Sequence, residues 1–283
     1  MLGSEHQLPQ PIVKVMTFNL RTYTAYDAGN EWSQRAPWAA QTIIDQAPAI
    51  VGVQEAYRLM LDDLQSQLPD YAWIGEGRRG GSEDEHCAIF YRPEKLELLE
   101  QGQFWLSETP EIAGSLGWDS DYPRICTWGW FRHRVSDVVI RVYNVHFDHM
   151  GEQARMEGAK LVVAMMKQHA ATEPNSAGIL MGDMNGTPSE PPLLYLNGQL
   201  PDQGELPGLQ NVYDKLEGEY GRTFHDFEGG VDGEPIDYIL VESMWQVRSA
   251  AIDRCHFNGK YPSDHYPVIA ELELRPDGDA QEQ

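Results

Sequence analysis

The chain has 283 residues, of which 41% are hydrophobic, so it can form one large domain or two small ones. It carries 21 Lys and Arg against 44 Asp and Glu, and the resulting charge of −23 repels nucleic acid and attracts metal cations. No apolar run reaches the ~20 residues of a membrane span, and the first residues, MLGSEHQLPQPIVKV, do not resemble a signal peptide. We therefore expect no membrane partner, a cytoplasmic location by default and, because acidic surfaces repel one another, a monomer.

The first half of the chain alternates predicted strands with predicted helices. VKVMTFN favours a strand that ends at Asn19, and Ser33 is a candidate cap for a helix that runs to Asp45. AIVGVQE predicts a strand that ends at Glu55, and leucines at helical spacing predict a second helix after Tyr57. YAWIGEG, HCAIFYR and LELLEQGQFWLSE follow as predicted strands, the first two of them around a Gly-rich turn.

The second half begins with a predicted loop from Thr109 to Asp121, rich in Gly, Pro and Ser. RICTWGWFRHR and VVIRVYNVHFDH predict a hairpin, EQARMEGAKLVVAMMKQ a helix, and GILMGDMN, PIDYILV and HYPVIAELEL strands. No repeat, linker or boundary divides the chain. We therefore predict a single domain over residues 1–283, with a core from about residue 13 to 274 and a disordered tail over 275–283.

Polar groups that bind metals or transfer protons recur at the ends of these apolar segments. They are Asn19, Glu55, His146 with Asp148, Asp183 with Asn185, Asp237, and Asp264 with His265. Any one of them, GDMN for example, is also typical of a tight turn. Because strand ends in α/β proteins share one edge of a sheet, six such endings indicate a common site.

Oxygen ligands at these ends favour a hard cation such as Mg²⁺. Glu55 is the best single candidate, because a carboxylate after the apolar IVGVQ is costly to bury without a partner. Asn19 adds an oxygen without another charge, and Asp264 is a third candidate ligand. The alternative for Glu55 is a carboxylate stabilised by the N-terminus of a helix.

The other polar residues at the strand ends are suited to phosphoryl transfer, which depends on positioning and charge neutralisation. His265 can transfer a proton near neutral pH, and Asp237 can orient it. His146 can bind a phosphate oxygen or assist the leaving group, while Asp183 and Asn185 can position the attacking water and the phosphoryl group. The alternative for His265 is a buried histidine satisfied by the backbone.

The ordered motifs resemble the signature of the endonuclease/exonuclease/phosphatase superfamily: TFN (17–19), QE (54–55), NVHFDH (144–149), GDMN (182–185), IDYI (236–239) and SDH (263–265). The resemblance implies an α/β fold of four layers, two mixed β-sheets packed face to face with helices outside, and hydrolysis of a phosphate ester with Mg²⁺ or Mn²⁺ by in-line water attack. It implies that Asn19 and Glu55 belong to the metal site and that Asp183 positions or activates water. Asn185 and His146 would contact phosphate. His265, supported by Asp237, would act as base or as transition-state stabiliser, and Asp264 would contact a second metal position or a water.

Further stretches, such as NEWSQRAPW and GSLGWDSDYPRICTW, resemble a bacterial branch of metal-dependent hydrolases. Arg124 resembles a phosphate-binding arginine, and bidentate arginine suits phosphate; the alternative is a pair with a surface acid. Asp148 and His149 are candidates for shaping the site. Three tryptophans can line a substrate pocket or pack in the core: Trp105, Trp118 and Trp128.

Two other classes of protein are alternatives for this sequence. HFDH resembles part of a zinc-hydrolase motif, but Asn144 stands where that motif needs a histidine. The second class is a non-catalytic binding module. Such a protein should lack some of the polar residues at the strand ends, whereas all of them are present here. The substrate we predict is a small or carbohydrate-linked phosphomonoester or phosphodiester. A nuclease of the same superfamily is the alternative, disfavoured by the net charge.

Overall fold

The computed structural model describes residues 12–200, 208–216 and 220–275. Two six-stranded sheets dominate the described part of the chain. The strands are β1 (Ile12–Asn19), β2 (Ile50–Gln54), β3 (Ala72–Ile74), β4 (Ile89–Tyr91), β5 (Leu96–Trp105), β6 (Ile125–His133), β7 (Val139–His146), β8 (Ser176–Asp183), β9 (Gln210–Asn211), β10 (Asp237–Val241), β11 (Trp245–Ile252) and β12 (Val268–Leu274). The helices are α1 (Trp32–Gln46), α2 (Arg58–Gln67), α3 (Glu152–Thr172), α4 (Pro191–Leu196) and one 3₁₀ turn (Val212–Lys215).

Each sheet is mixed, as predicted. The first has the strand order β11-β12-β1-β2-β4-β3 and the second β5-β6-β7-β8-β10-β9. Only the central pairs, β1 with β2 and β7 with β8, are parallel among the ladders described. Parallel strands require crossovers, which α1 and α3 supply. The predicted hairpin is confirmed as β6 and β7.

The apolar core has two parts that correspond to the layers. One cluster fills the space between the sheets and continues under α3 and α4 through Val162 and Leu193. A second cluster joins the outer face of the first sheet to α1 and α2 through Ile43 and Leu61. The result is the predicted four-layer α/β sandwich. None of the described helices is long and apolar enough to cross a membrane.

A buried polar bridge joins the two sheets next to the core. Asn144 on β7 donates from Nδ2 to the carbonyl oxygens of Val53 and Ala88, both at 2.9 Å. Its Oδ1 accepts from Nε2 of Gln54 on β2 at 2.7 Å, and the same nitrogen donates to Thr17 on β1. The residue at the position where a zinc motif would need histidine is therefore occupied in holding the sheets together.

The prediction that Ser33 caps α1 is wrong. The cap is Glu31 and the helix begins at Trp32, two residues earlier than a Ser33 cap would require, because the carbonyl oxygen of Glu31 accepts the first helical hydrogen bonds from Gln34 and Arg35. The predicted tail lies almost wholly outside the described residues, from residue 276 onward.

Candidate active site

The directions of the central strands bring the predicted polar residues to one end of the sandwich. The carboxyl ends of β1, β2, β7 and β8 lead to Asn19, Glu55, His146 and Asp183. The antiparallel neighbours β10 and β12 begin at the same end, so Asp237 pairs directly with Asp183 in the β8–β10 ladder. The segment with Asp264 and His265 enters β12 beside the end of β1.

An open pocket of about 500 Å³ lies at this end. Both sheets and the loops that follow their strands contribute to its wall. It is lined by Arg21, Thr22, Glu55, Tyr57, Arg78, Glu85, Tyr122, Arg124, His146, His149, Asp183, Asn185, Phe224, Ile236, Asp264 and His265.

The backbone at the floor of the pocket is strained. Glu55 has φ 61° and Asn185 has φ 45°, and both therefore adopt the left-handed conformation that few non-glycine residues occupy. Gly182 has φ 144°, and a Cβ there would lie 2.0 Å from the carbonyl oxygen of Val145. Strain of this kind costs of order 1–3 kcal/mol per residue and concentrates at functional sites.

Asn19 links two carboxylates at the floor. Its Nδ2 donates to Oε1 of Glu55 and to Oδ2 of Asp183, each at 2.9 Å. Its Oδ1 accepts from the backbone N–H of Arg21, and the residue is fully buried. Asn19 therefore lies behind the pocket wall and holds Glu55 against Asp183.

Two imidazoles face Asp183 from the second sheet and from the entry to β12. Nε2 of His146 lies 3.6 Å, and Nε2 of His265 3.8 Å, from the same Asp183 oxygen. Nδ1 of His265 donates to Asp237 at 2.8 Å, which directs Nε2 into the pocket. The arrangement is the acid-to-imidazole orientation expected for a proton-transferring histidine.

The buried charges shift one another's pKa values. Burial raises the pKa of Asp183, and the neighbouring Asp237 raises it further. Burial alone would lower the pKa of His265, but Asp237 and Asp183 outweigh it and raise that pKa well above the ordinary value. Burial, with the positive charge of Arg124, lowers the pKa of His146, so His146 is neutral near pH 7.

Arg124 lines the pocket and lies directly before β6. Its Nε is 3.2 Å from Asp148, and its Nη2 contacts His149 at 3.1 Å. Asp148 also accepts the backbone N–H groups of Met150 and Gly151, just before α3 begins. The acid paired with Arg124 is thus a buried one, and His149 lines the pocket.

Asn185 and Asp264 complete the set of predicted residues. Nδ2 of Asn185 donates to the carbonyl oxygen of Phe147, and its backbone N–H donates to Oδ1 of Asp183. Asp264 lies 3.5 Å from Arg21 and 3.2 Å from Oγ of Ser263, whose hydroxyl donates to the carbonyl oxygen of Asn19 at 2.7 Å. Both residues line the pocket.

The chemistry of the donor set fits a hard divalent cation. Oxygens of Glu55 and Asp183 and a nitrogen of His146 lie within 4.8 Å of one another, and so do ligand atoms of Asp183, Asp237 and His265. In the second set, Oδ1 of Asp237 is buried without a hydrogen-bond partner. Carboxylate-rich clusters with an open side are what Mg²⁺ or Mn²⁺ requires, because these ions keep part of their shell for water and phosphate.

Sequence reasoning missed part of the pocket wall. Arg78, Glu85, Tyr122 and Phe224 line the pocket but lie on loops without periodicity. None of the three candidate tryptophans lines it. Trp105 instead donates to the carbonyl oxygen of Arg78, and Trp128 packs against His169 on the far side of the sheet.

The family profile described as "Endonuclease/Exonuclease/phosphatase family" matches residues 16–265. The chain belongs to this family. Its members are hydrolases that act on phosphoesters, which agrees with the resemblance seen in the motifs. An endonuclease/exonuclease/phosphatase family protein of Bacteroides thetaiotaomicron is 32% identical, with a TM-score of 0.88 over 96% of this chain and 99% of that one.

Two further structures share this fold but differ in their sequence identity to this chain. A mannosyl-6-phosphatase of Bacteroides thetaiotaomicron is 34% identical, with a TM-score of 0.83 over 93% of this chain and 100% of that one. TDP2 of D. rerio, solved with a single-strand DNA product, is 16% identical, with a TM-score of 0.72 over 93% and 99% of the two chains. The second likeness is one of fold alone.

Proposed function

We propose that this family member is a divalent-metal-dependent phosphoesterase that acts on a small, carbohydrate-linked phosphoester rather than on nucleic acid. The observation that carries the proposal is the convergence of Glu55, Asp183, His146 and His265 on one open pocket. The likeness to a mannosyl-6-phosphatase supports a small substrate. The net charge of −23 disfavours a polyanionic one.

In this proposal the pocket residues place a water opposite the leaving oxygen. The water oxygen forms a bond to phosphorus as the bond from phosphorus to the leaving oxygen breaks. Asp183, held by Asn19 and by the backbone of Asn185, accepts the proton of the water. The leaving oxygen takes its proton from solvent on the open side of the pocket.

The phosphoryl oxygens are held by donors on three sides. His265 donates from Nε2 in its protonated form, which Asp237 at Nδ1 and the nearby Asp183 stabilise by raising the pKa of the imidazole. Nε2 of His146 faces the same region, and Asn185 and Arg124 add the remaining donors. Donors fixed in advance around a transferring phosphoryl group stabilise its developing charge.

Glu55, with Asp183 or Asp264 beside it, would hold the Mg²⁺ or Mn²⁺ ion. When bound, the ion supplies positive charge that neutralises the phosphoryl oxygens. Asn19 fixes the Glu55 carboxylate from behind, and Oε2 of Glu55 accepts the backbone N–H of Thr22 at 2.5 Å.

The test is hydrolysis of an aryl phosphate and a bis-aryl phosphate with Mg²⁺, with Mn²⁺ and with excess chelator. We expect activity that requires the metal and that falls by about 100-fold or more in Glu55→Gln and in His265→Asn. The matched control is Glu94→Gln, at an exposed glutamate, and we expect it to retain full activity. Activity that persists in chelator, or full activity in Glu55→Gln, would contradict the proposal, and preference for plasmid DNA over every small ester would overturn the substrate class.

A further inference from the structure

A tightly folded loop over residues 76–86 forms one side wall of the pocket. The backbone N–H of Arg78 donates to the carbonyl oxygen of Glu85 at 2.8 Å, and Trp105 donates to the carbonyl oxygen of Arg78 at 2.6 Å. A Cβ at Gly77 would lie 1.9 Å from the carbonyl oxygen of Glu83. The loop therefore holds Arg78 and Glu85 in fixed positions.

The side chains of Arg78 and Glu85 are paired and largely buried, yet both reach the pocket. Nη1 of Arg78 donates to Oε2 of Glu85 at 2.7 Å, and their side chains are 10% and 13% exposed. Oγ1 of Thr22 donates to the other Glu85 oxygen at 2.8 Å. Each carboxylate oxygen has a further lone pair, so Glu85 can still accept two hydroxyl protons. Among the described residues, Nη2 of Arg78 has no hydrogen-bond partner and remains a donor.

The arginines of the pocket are already neutralised. Arg21 pairs with Asp27 and Asp264, at 3.3 and 3.5 Å. Arg78 pairs with Asp84 and Glu85 at 3.0 and 2.7 Å, and Arg124 pairs with Asp148 at 3.2 Å. These pairs leave little positive charge for a second phosphate beyond the one to be hydrolysed. This charge balance favours an uncharged group over an anionic one against this wall.

Two partly exposed aromatic side chains line the pocket, one of them next to Arg78. Tyr122 is 43% exposed, and the guanidinium of Arg78 lies 4.8 Å from its ring centroid. Phe224, 42% exposed, lies across the pocket against His265, with ring centroids 5.1 Å apart. Large aromatic rings with one side open to a pocket offer apolar faces on which a sugar ring can lie.

We propose that Glu85, Arg78 and Tyr122 form a subsite for the hydroxyl groups of a neutral sugar, so that the substrate is a monosaccharide phosphate. Glu85 accepts protons from adjacent hydroxyls, Arg78 donates to a hydroxyl oxygen, and Tyr122 covers one face of the ring. The inference rests on the proposed phosphoesterase activity and adds to it the identity of the leaving group.

The experiment compares kcat/KM for a hexose 6-phosphate with kcat/KM for an aryl phosphate, both with Mg²⁺. In Glu85→Gln we expect the ratio of the two values to fall by about 10-fold or more, because a site built for hydroxyl protons loses a charged acceptor. Tyr122→Leu should lower the same ratio by raising KM for the sugar phosphate. Glu83→Gln, an exposed acid of the same loop, is the matched control and should leave the ratio unchanged.

The outcomes separate the two proposals. If the wild-type protein hydrolyses neither substrate, the phosphoesterase proposal fails. If it hydrolyses the aryl phosphate but the ratio does not change in Glu85→Gln and Tyr122→Leu, the sugar subsite is overturned while the activity stands. Thermal unfolding of each variant checks that it is folded.

Discussion

Asp183 is the residue on which the contacts of the pocket converge. Its carboxylate accepts from Asn19 and from the backbone of Asn185, and the imidazoles of His146 and His265 face it. Its position was predictable, because an apolar strand that stops at an acid is visible in the sequence. The sequence indicated which residues gather in the pocket, but it did not indicate which of them contact Asp183, because each comes from the end of a different strand.

Replacing Asp237 by Asn tests the orientation of His265. The change keeps the size of the side chain but removes the negative charge that raises the pKa of His265, so the protonated imidazolium that donates from both ring nitrogens is no longer stabilised. We expect kcat for an aryl phosphate to fall by about 10²–10⁴-fold, with KM changed by less than about threefold. Steady-state kinetics with saturating Mg²⁺ measure both quantities.

Asp232→Asn is the control for this prediction, since Asp232 is an exposed acid on the segment that precedes β10. It should retain the kinetics of the wild type. An Asp237→Asn variant with unchanged kcat would show that catalysis does not require the contact between His265 and Asp237.

At the scale of strands and helices, the sequence was informative wherever burial imposed a pattern. Apolar runs marked β1, β2, β7, β8 and β10, because strands in the middle of a sandwich are buried on both faces. The pocket loops carry no such pattern, and the sequence therefore did not indicate Arg78, Glu85, Tyr122 or Phe224. Their roles depend on which loops meet in space, and that depends on the strand order.

Asn144 provides a stability test of the bridge between β2 and β7. Asn144→Leu removes three buried hydrogen bonds between the sheets, those to the carbonyl oxygens of Val53 and Ala88 and that from the amide of Gln54. We expect the free energy of unfolding to fall by about 2–4 kcal/mol, because each of the three lost hydrogen bonds contributes about 1 kcal/mol. Urea denaturation measures the change.

The matched control for this prediction is Asn175→Leu, at an exposed asparagine after α3. Its free energy of unfolding should change by less than about 0.5 kcal/mol. Equal stability of Asn144→Leu and the wild type would show that the bridge does not contribute to holding the sheets together.

For the whole molecule, the site depends on both sheets at once. Asn19 and Glu55 come from the first sheet, whereas His146 and Asp183 come from the second, and Asn144 joins the two sheets beneath them. The fold class could be predicted because six ordered motifs that span the chain resemble those of a known superfamily. The substrate could not be predicted in the same way, because proteins that share one fold act on different phosphoesters.

The most direct test of the account is a crystal soaked with Mn²⁺ and inorganic phosphate, with anomalous scattering measured at the manganese edge. We expect an anomalous peak within about 2.5 Å of a Glu55 carboxylate oxygen. Phosphate should lie between that peak and the imidazoles of His146 and His265. A pocket without manganese, or manganese and phosphate bound away from Glu55, Asp183 and His265, would contradict the central claim that these residues form one metal-dependent site.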